Sequence, residues 1–209
     1  MVGCEFSGSV RQAFADRGWD AFSCDLLHTE LPGNHYLCDV RKVLDVRKWD
    51  LAIFHPSCTY LANSGAKHLY NGMKKENGYN EERWRQMREG AEFFRELYNA
   101  DIPHIAVENP IMLGYAQDII GVKPTQVVQP WMFGHKEVKA TCLWLRNLPA
   151  LIPTANVKEE TMALTYAERA KVHYASPGPD RWKIRSRTLS GLAAAMATQW
   201  GSYLEELYL

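Results

Sequence analysis

Two polar residues stand directly after apolar runs of strand length. Cys58 follows Asp50-Leu51-Ala52-Ile53-Phe54-His55-Pro56-Ser57, and Glu108 follows Ile105-Ala106-Val107 and precedes Asn109-Pro110. In an open α/β sheet, ligands bind beyond the carboxyl ends of the strands. If both runs lie in one parallel sheet, a thiol and a carboxyl group meet at one edge. A thiolate is a good nucleophile toward an electron-poor ring carbon. A carboxylic acid can hydrogen-bond a ring nitrogen and protonate it. Together they provide the chemistry needed to activate carbon 5 of a cytosine.

A second set of polar residues has a spacing suited to a nucleotide-like cofactor. Phe6-Ser7-Gly8-Ser9 forms a small turn between a first short strand and a helix. Such a turn lets a ligand approach backbone N–H groups at a helix N-terminus. Asp25 ends the second strand, where an acidic residue can bind ribose hydroxyls. Asp39 can accept from the exocyclic amine of an adenine. Taken alone, this region reads equally well as ordinary strand-end turns, because one glycine is not a fingerprint.

The elements that position these residues alternate between strand and helix. Short apolar runs predict strands over residues 2–5, 20–24, 36–40, 51–54 and 104–107, with a further pair over 125–129 and 141–145. Helical spacing predicts helices over 10–17, stopped by Gly18, and over 81–99, where Trp84, Met87, Ala91, Phe94 and Leu97 share a face. Pro110 and Gly114 open a short helix toward Ile120, another short helix covers 166–171, and a last one covers 191–207. Residues 62–80 have little periodicity and read as a long mobile loop, a candidate lid. Pro149, Pro153, Pro177 and Pro179 bracket an irregular stretch. The alternation implies an α/β sheet flanked by helices.

Composition bounds the rest. The chain has 209 residues, enough for one catalytic domain with a full core. With 46% hydrophobic and 23% charged residues, it has the make-up of a soluble globular protein. The 24 basic and 24 acidic residues cancel, so any nucleic-acid surface must be a local patch. No apolar run approaches the roughly 18 residues of a membrane span, and no secretory signal stands at Met1. Cys4, Cys24, Cys38, Cys58 and Cys142 include no C-x-x-C pair, so neither a zinc site nor any other metal site is expected. An odd, dispersed set fits a reduced cytoplasm.

The ordered set Phe6-Ser7-Gly8, Asp25, Asp39, Pro56-Ser57-Cys58 and Glu108-Asn109 resembles the cytosine-C5 DNA methyltransferase family, and within it the short, phage-type members. Residues 133–141, Phe133-Gly134-His135-Lys136-Glu137-Val138-Lys139-Ala140-Thr141, resemble its Tyr-Gly…Gln-x-Arg-x-Arg stretch. Residues 191–200 resemble its closing helix. The resemblance implies a Rossmann-like methyltransferase fold with a mixed, mostly parallel sheet. It implies S-adenosyl-L-methionine as cofactor, held by Phe6, Ser7, Gly8, Ser9, Asp25, Asp39 and Pro56. It implies DNA with a flipped-out cytosine as substrate, Cys58 as nucleophile, Glu108 and Asn109 at the base, and Lys139 as the surviving cation of the arginine pair.

The chain departs from that family at Val10, Ser57, Pro110, Glu137, Lys139 and Thr141. It also lacks room for a separate recognition domain. Only a reduced segment, residues 149–187, is available. Arg181, Trp182, Lys183, Arg185 and Arg187 there, with Lys67, Lys74 and Lys75 from the lid, are the expected nucleic-acid contacts. His55 is expected to be structural. A monomer in the host cytoplasm is the expected form. Two rivals remain open: the same chemistry on RNA, on a free cytosine nucleotide or with another cofactor-derived group, and a non-catalytic module that binds S-adenosylmethionine or nucleic acid.

Overall fold

The computed structural model describes residues 1–174, 178 and 181–208. Pro177 and Pro179 lie outside the described residues. Seven strands form one sheet: β1 (Val2–Gly3), β2 (Ser23–Asp25), β3 (His35–Leu37), β4 (Leu51–Phe54), β5 (His104–Pro110), β6 (Gln126–Val128) and β7 (Thr141–Arg146). Their order is β3-β2-β1-β4-β5-β7-β6. The pairs among β1 to β5 are parallel, and β7 runs antiparallel to both β5 and β6. This is the mixed, mostly parallel sheet flanked by helices that the sequence implies.

The helices are α1 (Ser9–Ala15), α2 (Glu81–Tyr98), α3 (Gly114–Ile120), α4 (Lys158–Ala163), α5 (Tyr166–Arg169), α6 (Lys171–Tyr174), α7 (Arg181–Ser186) and α8 (Ser190–Tyr208). Period-two alternation along β4 divides the core between two layers. Ala52 and Phe54 pack with Met87, Ala91, Phe94 and Leu97 of α2 and with Ala116 and Ile120 of α3. Leu51 and Ile53 pack on the opposite face with Val10 and Phe14 of α1 and with Met196 and Trp200 of α8. Each layer buries its aromatic anchor completely, so truncating Phe94 or Trp200 costs about 3–5 kcal/mol.

Strand order reverses between β1 and β4. The chain winds outward from β1 to β3, then returns to lay β4 on the other side of β1. The crevice beyond the carboxyl ends of β1 and β4 is therefore the topological switch point, where open α/β sheets bind ligands. Gly3 permits the close approach of these strands: a Cβ there would lie 2.6 Å from both the Phe54 ring and Val40.

Three segments differ from the expected elements. The first strand ends at Gly3, because Cys4 takes a positive φ of 58° and turns the chain. The third covers His35–Leu37, and Asp39 lies outside it, as the N-cap of a 3-10 helix over Val40–Val43. The expected structureless lid, residues 62–80, contains 3-10 turns at Asn63–Leu69, Asn71–Met73 and Lys75–Asn77. Leu69 is buried beneath it, the indole N–H of Trp84 donates to the Leu69 carbonyl at 3.1 Å, and Tyr70 bridges Tyr79. Among the described residues, no helix is long and apolar enough to cross a membrane.

Candidate active site

Register brings the candidate residues together. Phe54 pairs with Val107 across parallel strands, so the next residues on each strand, His55 and Glu108, are neighbours at the carboxyl edge. The Nδ1 of His55 lies 2.8 Å from a carboxylate oxygen of Glu108. Both side chains are almost wholly buried, at 9% and 12% exposure. Burial pushes the Glu108 pKa up, but the hydrogen bond and charge of His55, with help from Lys139, outweigh it and hold the carboxyl below its usual range. For His55, burial works against the charged ring, and the bond to Glu108 overcomes it and raises the pKa. Both shifts favour the imidazolium–carboxylate form of the pair. The expectation that His55 is merely structural did not include this bond, and sequence distance hides it: 53 residues separate the partners.

Cys58 lies on an exposed loop just past this pair. Packing around the thiol raises its pKa, the Glu108 carboxylate raises it further, and Lys139 and Arg185 oppose them. Cys58, Glu108, Lys139 and Arg185 thus share one electrostatic environment. Two side chains fix the loop. Asn109 donates from its amide to the Pro56 carbonyl at 2.8 Å, and Arg83 donates to the Thr59 carbonyl at 2.6 Å while stacking over Tyr60. Asn109 therefore contacts the Cys58 loop directly. Lys139 donates its ammonium to the Arg185 carbonyl at 3.0 Å, which ties the edge of β7 to α7. Glu108, Gln129, Lys139, Thr141, Thr188 and Leu192 line a small cleft beside the carboxylate.

The first turn is built around a residue the sequence reading passed over. Glu5 is buried and accepts the N–H of Val10 at 2.6 Å and that of Arg11 at 3.2 Å. It therefore caps α1, whose own N-cap, Gly8, offers no side chain and adopts φ 73°. A carboxylate at this end of a helix also suits the helix dipole. A glutamate four residues ahead of its helix has no capping-box spacing, so no local pattern signals it. The Arg11 guanidinium, also buried, donates to the carbonyls of Leu31 and Pro32 and holds the loop after β2 against the turn.

Of the expected cofactor residues, Ser7, Gly8 and Ser9 lie on this turn and Phe6 is buried at its start. Asp25 ends β2, with one carboxylate oxygen accepting the Leu27 N–H, and burial raises its pKa. Asp39 is engaged: it accepts the Arg41 N–H and pairs with the Arg41 guanidinium, which holds its carboxyl down at about 2. Pro56 lends its carbonyl to Asn109. Asp25 at the end of β2 and the glycine turn after β1 offer an acceptor and close backbone approach to a nucleoside cofactor, while Asp39, past the end of β3, would have to share its carboxylate with Arg41. Ser7 Oγ takes the leading amide of α1, at Ser9, and Glu5 takes the next two, so those amides do not serve the cofactor.

Of the expected nucleic-acid residues, Lys67 and Lys75 sit on the 3-10 turns that follow the Cys58 loop, and Lys74 lies between two of those turns. Arg181, Trp182, Lys183 and Arg185 lie on α7 and Arg187 just after it. Trp182 packs on Phe6, with ring centroids 5.6 Å apart, while half of it stays exposed. Arg187 pairs with Glu30 through two hydrogen bonds of 2.6 and 2.9 Å. This part of the segment is therefore folded onto the turn at Phe6 and the loop at Glu30.

No protein-family model matches this chain, and no curated protein matches it. A solved structure from E. coli, described as a DNA modification methyltransferase encoded within a prophage, is similar to it at 11% identity and a TM-score of 0.46. The similarity covers 74% of this chain and 50% of that one, so the chain spans about half the length of that structure.

Proposed function

We propose that this protein transfers a methyl group from S-adenosyl-L-methionine to carbon 5 of cytosine in DNA. The observation that supports the reading most strongly is the β4–β5 register that sets the Glu108 carboxylate beside the segment leading to Cys58, one strand from the switch point of the sheet. A protein that only binds a nucleoside needs neither a thiol nor a buried carboxylate there.

The Cys58 thiolate adds to carbon 6 of a cytosine drawn out of the stack, since its ring face is hidden in a duplex. Glu108 bonds nitrogen 3 and the exocyclic amine and stabilises the electron-rich ring. The bound cofactor supplies an electrophilic methyl group. Carbon 5 accepts it, a base removes the proton at carbon 5, and the Cys58 thiolate is expelled. Asn109 and Arg83 hold the nucleophile loop in place, and alignment of this kind governs rate. Phe6, Gly8, Asp25 and Asp39 hold the cofactor. Lys67, Lys74, Lys75 and the cationic residues of α7 flank the nucleic acid, and residues 149–187 serve as a reduced recognition segment within one catalytic domain.

DNA containing 5-fluorocytosine tests this, because fluorine cannot leave as a proton does. Wild-type protein with cofactor should form a covalent complex that mass spectrometry maps to Cys58. Cys58→Ala should form none while still binding S-adenosylhomocysteine. Duplex DNA, single-stranded DNA, RNA and dCMP are compared in parallel. Methyl incorporation into RNA or dCMP alone would replace the DNA substrate. Trapping at another cysteine would end the mechanism.

A further inference from the structure

We infer that His55 is a positioning residue that stores the proton Glu108 delivers to nitrogen 3 of the target base. The inference rests on the methyltransfer reading above and extends it to a residue outside the expected catalytic set.

The geometry argues for it as follows. His55 Nδ1 and Glu108 are 2.8 Å apart, in a setting where each side chain is about nine-tenths buried. A carboxyl group keeps a usable proton at neutral pH only where its pKa is raised, and although burial pushes Glu108 up, His55 and Lys139 together hold it below its usual range. The proton must therefore reside on a partner, and the imidazole is the group that touches the carboxylate. His55 Nε2 is buried without a hydrogen-bond partner among the described residues. The ring is thus held by a single polar bond, to Glu108. A histidine serving only as a structural link would ordinarily anchor its second nitrogen as well. The charges around it belong to Glu5 after β1, Asp25 at the end of β2, Glu108 on β5 and Lys139 before β7. Three of these four are acidic and favour the protonated ring.

The proton balance closes. As the Cys58 sulfur bonds to carbon 6, nitrogen 3 gains a proton from Glu108, and Glu108 takes the Nδ1 proton of His55. The thiolate's negative charge and the imidazolium's positive charge vanish together, so the adduct itself is uncharged and the negative charge of the site rests on the Glu108 carboxylate. After methyl transfer, a base takes the proton on carbon 5 and the thiolate leaves. The product ring then returns its nitrogen 3 proton to the Glu108–His55 pair.

His55→Asn tests it. The asparagine amide can still donate to Glu108 from the Nδ1 position, but it cannot titrate. The rate of 5-fluorocytosine trapping is followed against pH, and ring titration of His55 by ¹⁵N NMR is followed in wild type and in Glu108→Gln. The inference expects wild-type trapping to fall at high pH with a limb above the ordinary histidine value of 6.5. It expects His55→Asn to trap about a hundredfold more slowly at neutral pH, within the usual range for proton transfer by a positioned side chain. Its alkaline limb should move toward the carboxylate range, with cofactor binding unchanged. His55 should titrate lower in Glu108→Gln. Equal trapping with an unchanged profile in His55→Asn, or a His55 titration indifferent to Glu108→Gln, overturns the inference and leaves the methyltransfer reading standing. Absence of trapping by wild type overturns that reading, and this inference with it.

Discussion

The ring of Trp182 lies 5.6 Å from that of Phe6, tilted by 57°. One residue belongs to the segment expected to touch nucleic acid and the other to the turn expected to hold the cofactor. Along the chain 176 residues separate them, yet in the fold they form one wall. Two further bonds fasten the same region: Lys139 to the Arg185 carbonyl, and Arg187 to Glu30.

That contact should couple the two binding events. Trp182→Ala should weaken S-adenosylhomocysteine as well as DNA. An aromatic pair contributes about 0.5–1.5 kcal/mol, so roughly a two- to tenfold loss of cofactor affinity is expected. Calorimetry measures it. Cofactor affinity equal to wild type would mean that Trp182 serves the nucleic acid alone.

Asp25 offers a separate test of the cofactor crevice. Asp25→Ala should reduce S-adenosylhomocysteine affinity by about 1.5–3 kcal/mol, the value of a hydrogen bond to a charged group. Asp25→Asn retains one acceptor and should lose less. An affinity untouched by either change would place the ribose elsewhere.

The Cys58 thiol should respond to its neighbours with opposite signs. Burial and the Glu108 carboxylate raise its pKa from the ordinary 9.0, and Lys139 lowers it. Glu108→Gln removes a negative charge and should shift alkylation of Cys58 to lower pH. Lys139→Met removes a positive charge and should shift it higher. The alkylation rate against pH, followed by peptide mass spectrometry, separates the two. Shifts of the same sign in both variants would show that packing, not charge, controls the thiol.

Glu5 should matter for stability. Glu5→Ala leaves the amides of Val10 and Arg11 buried without acceptors, at a cost of about 1–3 kcal/mol. Denaturant unfolding should show a lower midpoint with an unchanged slope. A midpoint within error of wild type would mean that another acceptor has replaced the carboxylate.

Stability should also depend on the His55–Glu108 pair, with a pH window set by both partners. His55 has a raised pKa when folded, so its contribution is full below its unfolded value and is lost as pH rises through the folded one. Glu108 has a lowered pKa, so its contribution is present above its unfolded value and is lost as pH falls through the folded one. The wild-type advantage over a His55→Asn, Glu108→Gln double variant should therefore peak between the carboxylate and histidine ranges. Thermal unfolding across pH reads this directly, and a flat difference would mean that the pair contributes no linked protons.

The α/β architecture was legible in the sequence because it is written in short-range patterns. Strand β4 matches its apolar run from Leu51 to Phe54, and α2 matches the spacing of Met87, Ala91, Phe94 and Leu97. Asp25 at the end of β2 and Cys58 after β4 also carry their position in the sequence, since a polar residue after a buried strand must emerge at the sheet edge; Glu108 instead lies inside β5, which runs on to Pro110 beside β7. Residues 62–80 were not legible in this way. Turns of 3-10 helix leave no periodicity, and their order comes from Leu69, Trp84 and Tyr79, which meet only when the chain folds back. Glu5 as the cap of α1 likewise depends on a sharp turn at Cys4 and Gly8 that no capping motif announces. The partnership of His55 with Glu108 was decided by tertiary structure alone. It follows from a one-to-one register between two parallel strands, and a side chain's pKa is set by what stands across that register, not by its neighbours along the chain.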